Sequence, residues 1–182
     1  MLSRQHFSLR ILATYTIVAA FVLSSAQFVS AQEDKRSSAF ADIVKGVVFD
    51  PTTYAPAVIG YDATMRDWKT SQPFFQNGFV EHNARFTVSG RPDDKAVSYT
   101  AGRQLILKDA FAAFGVTAAQ NLTSRLVERA LLERYPQRAK LVKTIGWIQR
   151  VSIASLMSYH LSANHYRQAQ LNGQRSVELG LR

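Results

Sequence analysis

The chain has 182 residues, and 47% of them are hydrophobic, so it can bury a core and is not a wholly disordered chain. Its 22 lysine and arginine residues outnumber its 13 aspartate and glutamate residues, which gives a formal charge of +9. The absence of cysteine excludes disulfides, thiolate metal sites, a cysteine nucleophile and a lipid-modified cysteine.

The first 31 residues have the plan of an export signal. Arg4 and Arg10 precede an uncharged apolar run at 11–23, and Val29-Ser30-Ala31 offers the small residues that a signal peptidase reads. A run of 13 residues is short for a hydrocarbon core of about 30 Å, which favours a cleaved signal. The alternative is a retained anchor, because residues 11–31 could form a short span. We expect export through the Sec route to the periplasm or cell envelope of a bacterium.

After the signal, the sequence predicts a polar lead-in at 32–37, one helical domain at 38–172 and a flexible tail at 173–182. The domain begins with two short helices. Ser37 or Ser38 can cap the first, which is broken at Asp50-Pro51, and Pro56 can begin the second. The next segment, 74–92, is irregular, with one possible short strand at 85–88.

Two long helices follow, at about 93–134 and 137–171, with Asp93 or Asp94 as a cap and Tyr135-Pro136 as the break between them. Apolar residues recur at three- and four-residue steps in both, which predicts the faces that pack inward. These faces are Leu107, Phe111, Phe114, Ala118, Leu122 and Leu126 in the first helix, and Leu141, Ile145, Ile148, Leu156, Tyr159 and Ala163 in the second. Lys143 and Arg150 mark the opposite side of the second helix. The prediction is an all-α bundle in which the long helices are antiparallel and the short ones pack against them.

Whether the bundle lies in a membrane is open on sequence grounds. Residues 144–163 are rich in Ser, Ala and Gly, which membrane helices use for packing, but Arg150 interrupts them. Lys108 and Asp109 interrupt the other apolar stretch, 104–122. These charges favour a soluble or peripherally bound bundle over an integral one.

No pattern in the sequence indicates catalysis or a bound metal or cofactor. His160 and His165 are five residues apart rather than the four of a metal-binding helical pair, and no zinc, calcium or phosphate-loop motif is present. The serines from Ser152 to Ser162 lie inside a helix, not on the strained turn of a serine nucleophile. No nucleic-acid motif accompanies the basic residues, so the expected partner is an anionic membrane surface or an envelope protein.

Three short motifs lie within residues 58–170: Tyr61-Asp-Ala-Thr-Met-Arg66, Gly78-Phe-Val-Glu81-His-Asn83 and Ala163-Asn-His165-Tyr-Arg167. In this order they resemble the motifs of a loose group of small bacterial helical membrane proteins without an assigned activity. This chain differs in having Ala84 in place of a proline and in the order Asn164-His165. The resemblance implies that five polar residues form one cluster among the helices: Asp62, Arg66, Glu81, Asn83 and His165.

These observations predict an exported envelope protein that is a non-enzymatic helical scaffold or interaction module at a membrane face. The alternative is an integral helical membrane protein that binds a small ligand or ion through Asp62, Glu81 and His165. A buried cluster of this kind must pair its charges, so it could also be purely structural.

Overall fold

The computed structural model describes the backbone of residues 33–181 and the side chains of residues 40–181, so the expected export signal lies outside the described residues. Within this range the chain forms four α-helices: α1 (Glu33–Val48), α2 (Ala55–Gln76), α3 (Tyr99–Arg134) and α4 (Ala139–Glu178). Short 3-10 turns lie at Pro51–Thr53, Ala84–Phe86 and Pro136–Arg138. The described range contains two isolated β-bridges and no β-strand, which confirms the all-α prediction.

The first long helix begins at Tyr99 and not at residue 93. Ser98 is its N-cap, and the Ser98 hydroxyl accepts a hydrogen bond from the Ala101 N–H. Asp93, which was expected to cap this helix, has a φ of 61° in the left-handed region and lies in the preceding loop. That loop is held by the isolated β-bridges Glu81–Asp94 and Thr87–Ala96. The possible strand at 85–88 is not formed, since these residues belong to a 3-10 turn and one of the bridges.

The last helix continues past residue 171, its expected end, to Glu178, so residues 173–178, which were expected in the tail, are helical. The Asn172 side chain donates hydrogen bonds to Asp67 Oδ1 at 3.1 Å and to Ser71 Oγ at 2.9 Å, both on α2. These bonds hold the C-terminal part of α4 against α2, and tertiary contacts of this kind outweigh the weak helix propensities of Asn and Gly.

Helix α2 packs against both long helices. Helices α2 and α4 run parallel where they touch, because Gly60 contacts Leu161 and, further along both helices, Ser71 contacts Asn172. The contacts of α2 with α3 run in opposite directions, since Tyr54 stacks on Phe114 and the Trp68 indole donates to the Tyr99 carbonyl. Helices α3 and α4 also contact each other near their connecting turn, and α2 is therefore the helix that links the two.

The apolar core is small. Its centre consists of Trp68, Phe86 and Ile106, and Ile106 is only 1% exposed. A Cβ atom at Gly102 would lie 2.3 Å from the Trp68 ring, so the absence of a side chain there lets α3 approach the indole.

The predicted inward face of α4 is wrong, and that of α3 is right in part. On α4 the expected core residues Leu141, Ile145, Ile148, Leu156 and Tyr159 are exposed, with Tyr159 at 66%. On α3 Leu107 and Phe111 are exposed, whereas Phe114, Ala118, Leu122 and Leu126 are half-buried. The buried residues of α4 instead recur every four positions and are mostly small: Gly146, Arg150, Ala154, Ser158 and Ser162. The Ser158 and Ser162 hydroxyls donate to carbonyls within α4, so these residues are buried without needing a partner on another helix.

Among the described residues, no helix is both long enough and apolar enough to be a candidate membrane span.

Candidate functional site

Two of the five predicted cluster residues form an ion pair on α2. Arg66 Nε lies 2.8 Å from Asp62 Oδ2, one helical turn away, and the Tyr166 hydroxyl of α4 donates to the same oxygen at 2.8 Å. The hydrogen bond from Arg66, followed by that from Tyr166, holds the pKa of Asp62 below its ordinary value. The same bond to Asp62 raises the pKa of the Tyr166 phenol. Asp62 is therefore an ionised acceptor that joins α2 to α4.

His165 bonds to a different carboxylate. Its Nδ1 lies 2.8 Å from Asp67 Oδ2, and the second oxygen of Asp67 accepts from Asn172. Neither Asp67 nor Asn172 was among the residues predicted for this cluster. A signal was present, because Asn172 follows His165 by seven residues and therefore shares its helical face.

Glu81 and Asn83 organise their own loop. Glu81 Oε1 accepts from the Asn83 N–H at 2.7 Å, and Asn83 Oδ1 accepts from the Arg85 N–H, which caps the 3-10 turn Ala84–Phe86. Among the hydrogen bonds of residues 40–181, none joins Glu81 or Asn83 to Asp62 or His165.

We call the contact between α2 and α4 the polar cluster; its members are Asp62, Arg66, Asp67, His165, Tyr166 and Asn172. The pair Asp67–His165 resembles the part of a catalytic triad that orients the imidazole. The nearby Ser71 hydroxyl, however, donates to the Asp67 carbonyl and accepts from Asn172, so its proton is not directed at His165. No group of three metal-binding side chains is found in the part of the chain that the structure describes. The contacts of the polar cluster link two helices, α2 and α4.

A second polar group, which the sequence analysis missed, is more deeply buried. We call it the ion network; it consists of Asp50, Arg125, Glu128 and Arg150. Arg125 donates to Asp50 Oδ2 at 2.8 Å, and Arg150 lies 3.2 Å from the same oxygen and donates to Glu128 Oε2 at 2.8 Å. Arg150 is only 6% exposed, although its charge had placed it on the solvated side of the helix. Two cations and two anions compensate each other here, as buried charges require.

Asp50 holds this network at the end of α1. Burial alone would raise its pKa, but hydrogen bonds from the Thr52 hydroxyl and N–H, together with Arg125, outweigh burial and lower it. The neighbouring 3-10 turn is fastened to α3 by hydroxyl and amide groups. The Thr117 hydroxyl lies 2.6 Å from the Thr53 carbonyl, and Asn121 Nδ2 donates to the Thr53 hydroxyl at 2.7 Å. The local Asp-x-Thr pattern is a signal of the turn, but not of its partners.

A third region lies where α3 and α4 meet, and it differs from both polar groups. We call residues 131–148 the turn-end surface. Six large apolar side chains are exposed there: Leu131, Tyr135, Leu141, Ile145, Trp147 and Ile148. A groove of about 200 Å³ runs between the two helices and is lined mainly by apolar side chains. An exposed apolar surface with a groove is typical of a binding surface.

Comparison with protein-family models, with curated proteins and with solved structures found no significant match for this chain. The case for a function comes from its own contacts, charges and exposed surfaces.

Proposed function

We propose that this chain is an exported, non-enzymatic helical scaffold or interaction module that works at a membrane face of the bacterial cell envelope. One observation carries the proposal: the long helices direct large apolar side chains outward, while polar and small residues form much of their contacts with each other and with α2. The proposal includes the export signal at 1–31 and the antiparallel pairing of the two long helices.

Apolar side chains that are exposed to water raise the free energy of the protein, and a partner that covers them would lower it. Leu141, Ile145 and Trp147 are each more than half exposed and lie within two turns of α4. Contiguous apolar patches larger than a few hundred Å² are uncommon on monomeric soluble proteins and mark interaction surfaces. Leu156 and Tyr159 continue the exposed residues further along the same helix.

The contacts between the helices do not require the exposed apolar side chains. The ion network and the polar cluster connect the helices through charged and hydrogen-bonded groups, so the exposed apolar residues are not needed for those contacts. Among the described residues, the buried polar side-chain atoms are hydrogen-bonded except for Arg125 Nε and Arg150 Nε, so the surface left to a partner is mainly the exposed apolar one.

Fractionation of cells that produce the full-length chain with a C-terminal tag tests the proposal. We expect a chain that has lost residues 1–31, is found with the membranes and is released by alkaline carbonate. The N-terminal residue of the purified product identifies the cleavage site. A product that retains Met1 and is found in the cytosol would refute the proposal.

A second candidate is an integral helical membrane protein that binds a small ligand or ion through a polar Asp/Glu/His cluster. It is favoured by the small residues on the packed face of α4, since Gly146, Ala154 and Ser158 are the types at which membrane helices approach each other. The carbonate wash separates the candidates, because an integral protein would stay in the pellet.

A further inference from the structure

We propose that the turn-end surface is the part of this chain that binds the membrane, and that its ligand is a bilayer surface rich in anionic phospholipid headgroups. This inference rests on the proposed function and assigns it to one end of the long helices. The occupant follows from three properties of residues 131–148: their charge, their aromatic residues and their position at the connecting end of the two long helices.

The charge is strongly one-sided. Residues 131–148 contain four basic residues and one acidic residue, Glu133. Glu133 is paired with Arg129, whose Nε lies 3.0 Å from Glu133 Oε1, so its charge is already compensated from outside the segment. The four basic residues are Arg134, Arg138, Lys140 and Lys143. Basic residues next to exposed apolar ones are attracted to an anionic lipid surface, and each contributes about a fivefold gain in partition near it.

The apolar residues are of the types that lie at a membrane interface. Trp147 is 58% exposed and Tyr135 is 39% exposed. The rings of both residues combine an apolar body with one polar atom, which suits the headgroup level of a bilayer. Leu141, Ile145 and Ile148 recur at four- and three-residue steps and are each at least half exposed, so they form an apolar stripe of α4 that can enter the acyl boundary.

The position of the segment leaves it accessible. The contact of Arg150 with Glu128 is the ion-network contact nearest to the connecting turn. From Glu128 to the end of α3 at Arg134 there are six further residues, which corresponds to roughly 9 Å of helix beyond that contact. The 3-10 turn Pro136–Arg138 at the tip has no buried residue.

Charge also distinguishes this surface from the other exposed apolar residues of α4. Residues 151–163 expose Leu156 and Tyr159 but contain no lysine, arginine or acidic residue. They lack the charge that would select an anionic surface. A second copy of the chain is disfavoured at the turn end, because a symmetric contact there would bring like charges together.

The test uses the exported chain and measures its partition onto sedimenting vesicles. One vesicle type is phosphatidylcholine alone, and the other contains about one third phosphatidylglycerol. We expect binding to the second type, weaker binding at higher salt, and a blue shift of tryptophan fluorescence, since Trp147 is the more exposed of the two tryptophans.

Matched variants assign the binding to residues. Lys140→Gln with Lys143→Gln should lower partition about 25-fold, since two charges near the surface are lost. The control pair, Arg103→Gln with Lys108→Gln on α3, should change it by less than about twofold, because these residues lie outside the turn end. Circular dichroism of each variant checks that the helices remain.

An apolar pair of equal exposure gives an independent comparison. Trp147 and Leu156 are both 58% exposed on α4. Trp147→Ala should lower partition and remove the blue shift, whereas Leu156→Ala should leave both unchanged.

The outcomes separate the inference from the proposed function. If the wild type binds anionic vesicles but the α3 or Leu156 variants lose binding instead, the turn-end assignment is wrong and the proposed function stands. Equal binding to both vesicle types would overturn the charge argument. If Trp147→Ala instead abolishes a concentration-dependent dimer, the occupant is a second copy and the inference fails. A wild type that binds neither vesicle and is found in the periplasmic wash contradicts the membrane-facing function as well.

Discussion

Replacement of Arg150 tests whether the ion network stabilises the bundle. In Arg150→Met the side chain keeps much of its length but loses the guanidinium that bonds Glu128 at 2.8 Å and lies 3.2 Å from Asp50. Glu128 is 15% exposed and would lose its cationic partner, whereas Asp50 would keep Arg125. Breaking a buried pair costs about 3–5 kcal/mol, and the remaining Arg125 contact places this variant near the lower end, at about 3 kcal/mol.

The assay is thermal unfolding followed by far-ultraviolet circular dichroism, with urea unfolding for the free energy. For a domain of this size, about 3 kcal/mol corresponds to a fall in Tm of about 6–12 °C. The matched control is Arg129→Met, which removes an exposed ion pair with Glu133 and should cost less than about 0.5 kcal/mol. Equal melting temperatures for the two variants would show that Arg150 contributes no more than a surface charge, which contradicts a stabilising role for the ion network.

Three further predictions concern the packing and the pH dependence of the bundle. Gly102→Ala should lower the free energy of unfolding by about 1–3 kcal/mol, because the new Cβ would lie 2.3 Å from the Trp68 ring. Gly115→Ala should raise the free energy of unfolding by about 0.5–1 kcal/mol, because no atom lies within 4 Å of its new Cβ. Denaturant unfolding of both variants checks these values. Thr117→Val should cost about 1–3 kcal/mol in the same assay, since a buried carbonyl loses its donor, and a neutral result would show that the hydroxyl is dispensable. The pKa of Asp50 is lowered, so its stabilising contribution is complete above the ordinary value of 3.8 and is lost as the pH falls through the lower folded value. In Tm measurements from about pH 5 to about pH 2, Asp50→Asn should therefore lose less than the wild type, and parallel curves would contradict this.

The fold class and the break between the long helices were predictable because their signals are local. The residue before a proline avoids the helical region of the Ramachandran plot, so Tyr135-Pro136 marks the end of α3 locally. The four-residue spacing of Asp62 and Arg66 likewise places them side by side on any helix. The direction in which each face points was not predictable from periodicity. On α4 the apolar residues and the small residues both recur at helical steps, and period alone does not say which set is buried.

Only the part of the candidate site that lies within one helix was predictable. The contact between Asp62 and Arg66 follows from their spacing on α2, whereas the partner of His165 depends on which helix packs against α4. Arg150 is the clearest case. A lone arginine on a helix usually faces solvent, and its burial requires two carboxylates from distant parts of the chain, Asp50 and Glu128, which no local pattern connects.

The buried arginine also restricts how α4 can lie along its neighbours. If α4 shifted along its neighbours by one helical turn, Gly146 or Ala154 would take the place of Arg150. Glu128 would then face an uncharged residue. An alternative alignment would therefore leave a buried carboxylate without its cation, which is unfavourable. A single buried asparagine selects one alignment of a coiled coil in a similar way. An apolar interface alone would tolerate such sliding more easily, so the charged interior can keep one alignment while the outer surface meets its partner.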